Sequence, residues 1–360
     1  MLPRGELLEK LRTWVLALGA AGMLSSCANL GYYAQAIGGQ MDMLRRAQPV
    51  SVVLEDPDAR QGLKQALHKA QQMRAFASRA LQLPDNRSYT HYADLERPFV
   101  LWNVFATEEF STAPKQWCFI AAGCVTYRGF FAQQAAEDFA AELRREGHDV
   151  YVGGVAAYST LGWFNDPLLS TFIGYPEPEL ARLLFHELAH QVVYVSDDTA
   201  FNESFATAVE LEGVNRWLAQ QGDAQLRAVF ETGQQRRAAY IEHMLQARQQ
   251  LDTLYASHVS VAEKRAAKAR IMESLRAELA QGSRHPERWQ AQQLNNAQLA
   301  SVATYTQLVP AFRALLAQQG GDMGRFYGVV KDLGALPRTE RNAVLQAALE
   351  NSDNKLAANR

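Results

Sequence analysis

The chain has 360 residues, with 36 Lys or Arg and 38 Asp or Glu, and its formal net charge is -2. This balance provides no basic surface for nucleic acid, so we expect no nucleic-acid partner. Hydrophobic residues make up 48% and charged residues 21% of the sequence, close to the averages of soluble globular proteins. The composition excludes wholesale disorder and a multi-pass membrane fold, and the length allows one or two domains with a real core.

An apolar run from Trp14 to Leu24 follows a basic amino-terminal stretch. About a dozen apolar residues suit the core of a signal peptide and fall short of the ~20 that span a bilayer. The alternative is an ordinary apolar helix. The run ends in Leu24-Ser25-Ser26-Cys27, which resembles the lipobox of bacterial lipoproteins. The resemblance implies a signal peptide over residues 1–26 and a lipid on Cys27.

The same resemblance implies where the protein resides. An exported chain with a lipid on Cys27 is anchored in the bacterial cell envelope, and we expect it to face the periplasm. Ala28 stands where an aspartate is associated with retention in the inner membrane, so the outer membrane is favoured.

Lipidation of Cys27 would leave Cys118 and Cys124 as an even pair in an oxidising compartment, where a disulfide can persist. Five residues separate the two cysteines, one of them glycine, and this spacing suits a short stapled loop between two strands. Two alternatives remain: a pair of reduced core cysteines, and a soft-metal site, although C-x5-C without a second thiol pair is weak evidence for one.

The predicted elements indicate an α+β fold that is predominantly helical. Helical patterns cover residues 31–83, 133–146, 176–195 and 199–221 and most of the chain beyond 222, with breaks at 282–286 and 320–321. Short β-rich runs occupy residues 99–105, 117–121, 125–131 and 150–155. We therefore expect a helical segment over 27–97, a core with a small mixed sheet over 98–221, and long helices over 222–360.

The segment His186-Glu187-Leu188-Ala189-His190 matches the pattern H-E-x-x-H. Residues four apart lie one above the other on a helix, so His186 and His190 can bind one cation from the same face. Glu187 is the predicted general base on the metal-bound water. The helix is apolar almost all round, which indicates burial, and buried imidazoles and carboxylates need a partner such as a divalent cation. A pair of hydrogen-bonded core histidines is the alternative.

A catalytic zinc takes three protein ligands and a water. The next predicted helix begins with Phe201-Asn202-Glu203-Ser204-Phe205, in which Glu203 follows His190 by thirteen residues. This stretch resembles the Asn-Glu-Gly-Phe-Ala signature of gluzincin metallopeptidases, with a serine in place of the glycine. The resemblance implies one zinc ion per chain, bound by His186, His190 and Glu203. Glu210, two turns further along the same helix, is the alternative ligand.

Longer stretches extend the resemblance to the bacterial lipoprotein aminopeptidase family; they are Cys118–Gly129, Tyr151–Leu169, His186–Thr207 and Ala303–Phe312. It implies a zinc-dependent aminopeptidase with a peptide substrate and a zincin-like catalytic core over 98–221. The alternatives are an endopeptidase of the same mechanism, a metal-binding envelope lipoprotein that scaffolds a partner without hydrolysis, and a helical module without metal.

A peptidase also needs a donor for the oxyanion of its tetrahedral intermediate. Tyr158 and Tyr305 are the predicted donors, with His148 and Tyr151 as further candidates, and buried aromatic bulk explains the tyrosines equally well. The run 151–160 is the predicted edge strand to which a peptide adds through main-chain hydrogen bonds. No motif identifies the acidic or carbonyl groups that an aminopeptidase needs to hold the free α-amine of its substrate.

Overall fold

The computed structural model describes residues 31–119, 123–283, 285–291 and 293–358. The predicted signal peptide and the lipidation site at Cys27 lie outside the described residues. Within these ranges, no helix combines the length and the apolar character that crossing a membrane requires. The chain divides once, between Arg46 and Ala47. In the first unit, residues 31–46 form helix α1.

The second unit confirms the predicted α+β architecture with a predominance of helix. Its strands are short, and they are β1 Gln48–Pro49, β2 His91–Ala93, β3 Leu101–Thr107, β4 Trp117–Phe119, β5 Gly123–Val125, β6 Arg128–Phe130, β7 Asp149–Val155 and β8 Leu168–Leu169. Its helices are α2 Val50–Glu55, α3 Gln61–Leu81, α4 Gln133–Arg145, α5 Glu177–Ala189, α6 Thr199–Gln221, α7 Ala224–Ala256, α8 Val261–Gln281, α9 Pro286–Ala291, α10 Asn296–Thr306, α11 Val309–Gln318, α12 Met323–Gly334 and α13 Arg338–Ala358.

The central sheet has three antiparallel strands in the order β6-β3-β7, so β3 lies in the middle and β7 at an edge. All seven residues of β3 are buried. Phe139 of α4 packs its ring 5.3 Å from that of Phe130, which pairs with Trp102, so α4 covers the face on which Trp102 points. Helix α10 contacts β3 and β7 and covers the opposite face, the face of Asn103 and Phe105.

Two smaller sheets flank this one. Strand β1 pairs with β2 antiparallel, and β2 pairs with β8 parallel. Strands β4 and β5 form a separate antiparallel hairpin in which Cys118 lies opposite Cys124.

Helices α5 and α6 pack against each other more extensively than any other pair of elements in the described chain. The ring of Phe76 in α3 lies 5.8 Å from that of Phe185 in α5 and 5.2 Å from that of Trp217 in α6. Gly213 permits this close approach, because a Cβ there would lie 2.6 Å from the ring of Phe185 and 2.8 Å from Leu81. The three helices form a dense aromatic core that fixes the angle between α5 and α6.

The structure corrects three predicted boundaries. The helical stretch 31–83 is interrupted by β1 and by a turn at 56–60, and the runs 117–121 and 125–131 resolve into three short strands rather than two. The helix predicted over 176–195 ends at Ala189. The residues beyond this end form a loop that Asn202 stabilises, because its side chain hydrogen-bonds both the N–H and the C=O of Val195 at 2.8 Å.

Candidate metal centre

The H-E-x-x-H segment lies on the last turn of α5. Helix α5 begins after Pro176, and His190 is its C-cap with helical backbone angles, φ -59° and ψ -21°. His186 and His190 therefore keep the spacing of one helical turn although regular helix stops at Ala189. Most of the helix is buried, as its apolar sequence predicts, and Glu187 is only 7% exposed.

A nine-residue loop returns the chain so that α6 packs on α5. Asp198 caps α6 by accepting a hydrogen bond from the Phe201 N–H at 3.2 Å. The cap lies in a buried setting, since Arg341 of α13 donates to Asp198 Oδ2 from Nη2 at 2.7 Å and from Nε at 3.2 Å. The Phe201 N–H and the Arg341 side chain thus both bind the Asp198 carboxylate at the start of α6. Glu203, in the second turn of α6, faces the histidines.

Three potential ligand atoms converge between the two helices. Nε2 of His186 lies 3.2 Å from Nε2 of His190 and 3.2 Å from Oε2 of Glu203, and the remaining distance, from His190 Nε2 to Glu203 Oε2, is 3.6 Å. Tetrahedral zinc with bonds of about 2.0–2.1 Å separates its ligand atoms by roughly 3.3 Å. The donor set and its spacing therefore fit a zinc ion.

Glu210 lies on the other side of the His186 ring. Its Oε2 is 2.9 Å from His186 Nδ1, and its Oε1 accepts a hydrogen bond from Arg182 Nη1 at 2.9 Å. Arg182 Nε in turn donates to Glu179 at 2.8 Å. A carboxylate on Nδ1 fixes the ring and its tautomer and directs the Nε2 lone pair toward a metal. The alternative ligand predicted from the sequence thus contacts the histidine without joining the three converging atoms.

Charge is concentrated in this buried cluster. Burial opposes the charged form of His186, but hydrogen bonds to Glu203 and Glu210 outweigh it and raise the pKa to about 10. Without a metal His186 is therefore protonated at neutral pH, and a bound cation would take the place of the proton on Nε2. Burial likewise opposes ionisation of Glu203 and Glu210, but the charges of His190 and Arg182 respectively outweigh it and lower both pKa values to about 2. Both glutamates therefore remain carboxylates at neutral pH, as metal binding and histidine orientation require.

Glu187 and Glu210 both line a cavity beside His186, but no described hydrogen bond joins Glu187 to the histidines. Burial raises the pKa of its carboxyl, an effect that the nearby histidines reduce and that Glu203 and Asp166 reinforce. A raised pKa makes a carboxylate a better proton acceptor near neutral pH. His186 lines the same cavity, which has a volume of about 1190 Å³.

The cavity lies between the Asn103 face of the central sheet and the helices α5, α6, α7, α10 and α11. Its sheet wall includes residues 153–157 of the edge strand β7 and the loop that follows it. The predicted strand 151–160 ends at Val155, but its edge position and its place beside the cavity agree with the sequence analysis.

The two predicted oxyanion donors occupy different places. Tyr305 of α10 lines the cavity, and burial together with the charge of Glu203 raises the pKa of its hydroxyl well above the usual value. Tyr158 packs against the ring of Phe131 at 5.9 Å, with Asp166 nearby, and is not among the residues that line the cavity. Of the further candidates, Tyr151 lines the cavity and His148 does not.

Cys118 and Cys124 are joined by a disulfide that closes the β4–β5 hairpin. The Cys124 N–H donates to Asp197 Oδ1 at 2.5 Å, which ties the hairpin to the loop between His190 and Glu203. Gly123 has φ +71°, and a Cβ there would lie 2.5 Å from Asp197 Oδ1, so this contact requires glycine.

The sequence analysis did not identify Arg182. The signal was present, since Arg182 precedes His186 by four residues and so lies on the same helix face. Its role depends on Glu210, which comes from a different helix.

The fold and the site define a class: an α+β protein whose buried H-E-x-x-H helix and following helix present two histidines and a glutamate at one point, beside a deep cavity. A family model described as Putative aminopeptidase matches residues 31–345, and the chain belongs to that family. No curated protein and no solved structure matches the chain significantly. Membership in this family indicates a peptidase.

Proposed function

We propose that the protein is a zinc-dependent aminopeptidase, in which His186, His190 and Glu203 bind one zinc ion and Glu187 is the general base. The observation that carries the proposal is the triangle of ligand atoms, with sides of 3.2, 3.2 and 3.6 Å. One of its three residues, His186, lines a large cavity together with Glu187. A pair of structural histidines has no need of a third convergent ligand or of an adjacent buried carboxylate.

A bound zinc ion supplies Lewis acidity, which activates water as a nucleophile and polarises the peptide carbonyl. Glu187 accepts the proton of the attacking water and passes it to the leaving amine. Glu210 and Arg182 hold the His186 ring in place throughout. Tyr305 is positioned at the cavity to donate a hydrogen bond to the developing oxyanion, a role that its raised pKa favours because the hydroxyl keeps its proton.

The substrate is a peptide. The edge strand β7 lies along the cavity with residues 153–155, and an extended peptide can add to it there through main-chain hydrogen bonds. Sequencing the products formed from a mixed peptide library distinguishes the proposed aminopeptidase, which releases single amino-terminal residues, from an endopeptidase of the same mechanism, which cuts internally.

The test of the mechanism is the variant Glu187→Gln, because a binding-only site has no use for a base beside its ligand. We expect it to retain stoichiometric zinc by elemental analysis and to lose peptide hydrolysis by about 10²–10⁴-fold. The control is Glu212→Gln, which alters a glutamate of α6 paired with Arg216. Unchanged turnover would exclude the role of Glu187, and loss of zinc would make it a structural residue.

We also propose that the protein is an envelope lipoprotein with its lipid on Cys27, as the lipobox resemblance implies. The variant Cys27→Ala should move the protein from the membrane fraction to a soluble one. Recovery of both forms in the same fraction, or an unlipidated Cys27 peptide by mass spectrometry, would contradict this assignment.

A further inference from the structure

The sheet wall of the cavity carries a carboxamide whose oxygen has no hydrogen-bond partner among the described residues. Asn103 lies in the middle of β3, it is 4% exposed, and its Oδ1 has no hydrogen-bond partner among the described residues. Asn103 also lines the cavity into which His186 and Glu187 open. A buried polar atom without a partner destabilises a fold and is uncommon in native proteins, so its retention indicates a use in binding.

Glycines lie beside this carboxamide in both adjacent strands. Asn103 pairs directly with Gly129 of β6 and with Gly153 of β7. Directly opposed residues of antiparallel strands point to the same face, so neither partner of Asn103 has a side chain of its own there. The Tyr151 ring occupies the space over Gly153, where a Cβ would lie 3.1 Å from it. A Cβ at Gly129 would lie 3.2 Å from Asn103 Oδ1, so even alanine would crowd the amide. We call Asn103, Gly129 and Gly153 the Asn103 niche.

Aromatic rings border the niche. Phe105 is the next residue of β3 on the same face, and Tyr151 lies opposite it on β7, with ring centroids 6.2 Å apart. Both line the cavity. The faces of aromatic rings attract cations, and a carboxamide oxygen accepts hydrogen bonds from cationic groups such as an ammonium. The terminal torsion of Asn is soft, so the Oδ1 that now faces Gly129 can turn toward the cavity.

The charges around the cavity suit a cationic group at this position. Four glutamates and three arginines line the cavity as a whole, and they are Glu187, Glu210, Glu231, Glu242, Arg182, Arg237 and Arg313. None of the three arginines lies on β3, β7 or α10. On the α5 wall, the charge of Arg182 is neutralised by its ion pair with Glu210, and Glu187 contributes a further negative charge.

We propose that the Asn103 niche binds the α-ammonium group of a peptide substrate and so restricts the enzyme to peptides with a free amino terminus. The inference rests on the proposed peptidase function and assigns the amine site that no sequence motif identifies. The ammonium donates to Asn103 Oδ1 and lies against the faces of Phe105 and Tyr151. Acetylation of the amine removes its positive charge and adds an acyl group for which the niche has little room, because the Tyr151 ring covers Gly153.

The first experiment measures binding without turnover. The full chain carrying Glu187→Gln is loaded with zinc and titrated calorimetrically with L-leucinamide and with N-acetyl-L-leucinamide. We expect the free amine to bind at least about tenfold more tightly, as a hydrogen bond to a charged donor implies, and Asn103→Leu to abolish this preference. Equal affinities for the two probes, or a preference that survives Asn103→Leu, would overturn the proposal.

Thr107→Val is the matched control. Thr107 lies in the same strand, is fully buried and has an Oγ1 without a partner among the described residues, but it does not line the cavity. Removing this second unpartnered oxygen should leave the amine preference intact. Gly129→Ala is the second test variant, for the case in which Asn103→Leu does not fold. It leaves Asn103 in place and should weaken leucinamide binding by crowding the amide, and unchanged binding would contradict the niche.

The second experiment measures hydrolysis by the zinc-loaded chain with Glu187 intact. We expect Asn103→Leu to lower kcat/KM for peptides with a free amino terminus about 10- to 100-fold and to leave the slow hydrolysis of acetylated peptides unchanged. An equal loss for both substrates would assign Asn103 a structural role. If the unaltered protein cleaves no peptide at all, the proposed function fails, and the binding experiment alone then decides whether the niche recognises an amine.

Discussion

Glu210 and His186 meet at the ring nitrogen that faces away from the other ligands, with Glu210 Oε2 2.9 Å from His186 Nδ1. The two glutamates of α6 therefore contact opposite nitrogens of one imidazole, since Glu203 Oε2 lies 3.2 Å from Nε2. Two carboxylates of the same helix therefore have different proposed functions. Glu203 is the ligand on the Nε2 side of the ring, and Glu210 orients the ring from the Nδ1 side.

This geometry predicts different effects for the two glutamates. Glu203→Gln should abolish stoichiometric zinc binding, because it removes an anionic ligand. Glu210→Gln should retain zinc with an affinity about 10–100-fold lower, because it loosens only the support of a ligand. A competition titration with a chelator of known affinity measures both. The reverse order of effects would make Glu210 the ligand.

Arg341 and Asp198 form a buried ion pair whose disruption should be costly. Arg341→Met leaves Asp198, which is 2% exposed, without its partner, and should lower the free energy of unfolding by about 3–5 kcal/mol in urea denaturation. Arg338 is the matched control, since it is exposed and lies 3.8 Å from the same carboxylate. Arg338→Ala should cost about 1 kcal/mol or less. Similar losses for the two variants would contradict this assignment.

Asp166 makes the free energy of unfolding depend on pH. Burial raises the pKa of its carboxyl to about 6, although hydrogen bonds from Thr160 and Ser159 oppose the shift. The unfolded chain releases this proton near pH 4, so between about pH 4 and 6 the native state binds a proton that the unfolded state does not. The contribution of Asp166 to the free energy of unfolding therefore falls as pH rises through this window, by about 3 kcal/mol in total.

Urea denaturation between pH 4.5 and 7.5 measures this effect. In the unaltered protein Asp166 makes the free energy of unfolding fall as the pH rises, and the Asp166→Asn variant should lack this fall. Asp58→Asn, at an exposed position, should retain it. Parallel profiles for the protein and its Asp166→Asn variant would show that Asp166 is ionised in the native state.

The disulfide between Cys118 and Cys124 closes a loop of only five residues. A loop of this size predicts a modest stabilisation of about 2 kcal/mol in the chain-entropy account. Dithiothreitol should lower the urea midpoint of the unaltered protein and should have no effect on the double variant Cys118→Ser, Cys124→Ser. An unaltered midpoint on reduction would mean that the bond contributes nothing to stability.

Local signals in the sequence predicted the parts of the site that neighbouring residues determine. The spacing of His186 and His190 and the helix over 199–221 depend on backbone rules that act within a few residues. The predominantly helical α+β architecture followed from the same patterns, and the structure confirms it.

The remaining features depend on residues that are distant in the sequence. Residues beyond Ala189 form a loop rather than helix, and Asn202 of the next helix holds that loop by binding the backbone of Val195, a contact that no helix propensity encodes. The Asn103 niche requires the register that aligns Gly129 and Gly153 with Asn103 across three strands. Such register is fixed only when the sheet packs between α4 and α10, so periodicity alone could not predict it.

The contact between Asp198 and Arg341 has a consequence for biosynthesis. The three residues proposed to bind the metal lie close together in the sequence and are synthesised within a short interval. Arg341, which binds Asp198 at the start of the Glu203 helix, follows Asp198 by 143 residues. A nascent chain can therefore form its H-E-x-x-H helix early and still lack a rigid third ligand. The buried ion pair at the start of the Glu203 helix can form only after α13 has been synthesised.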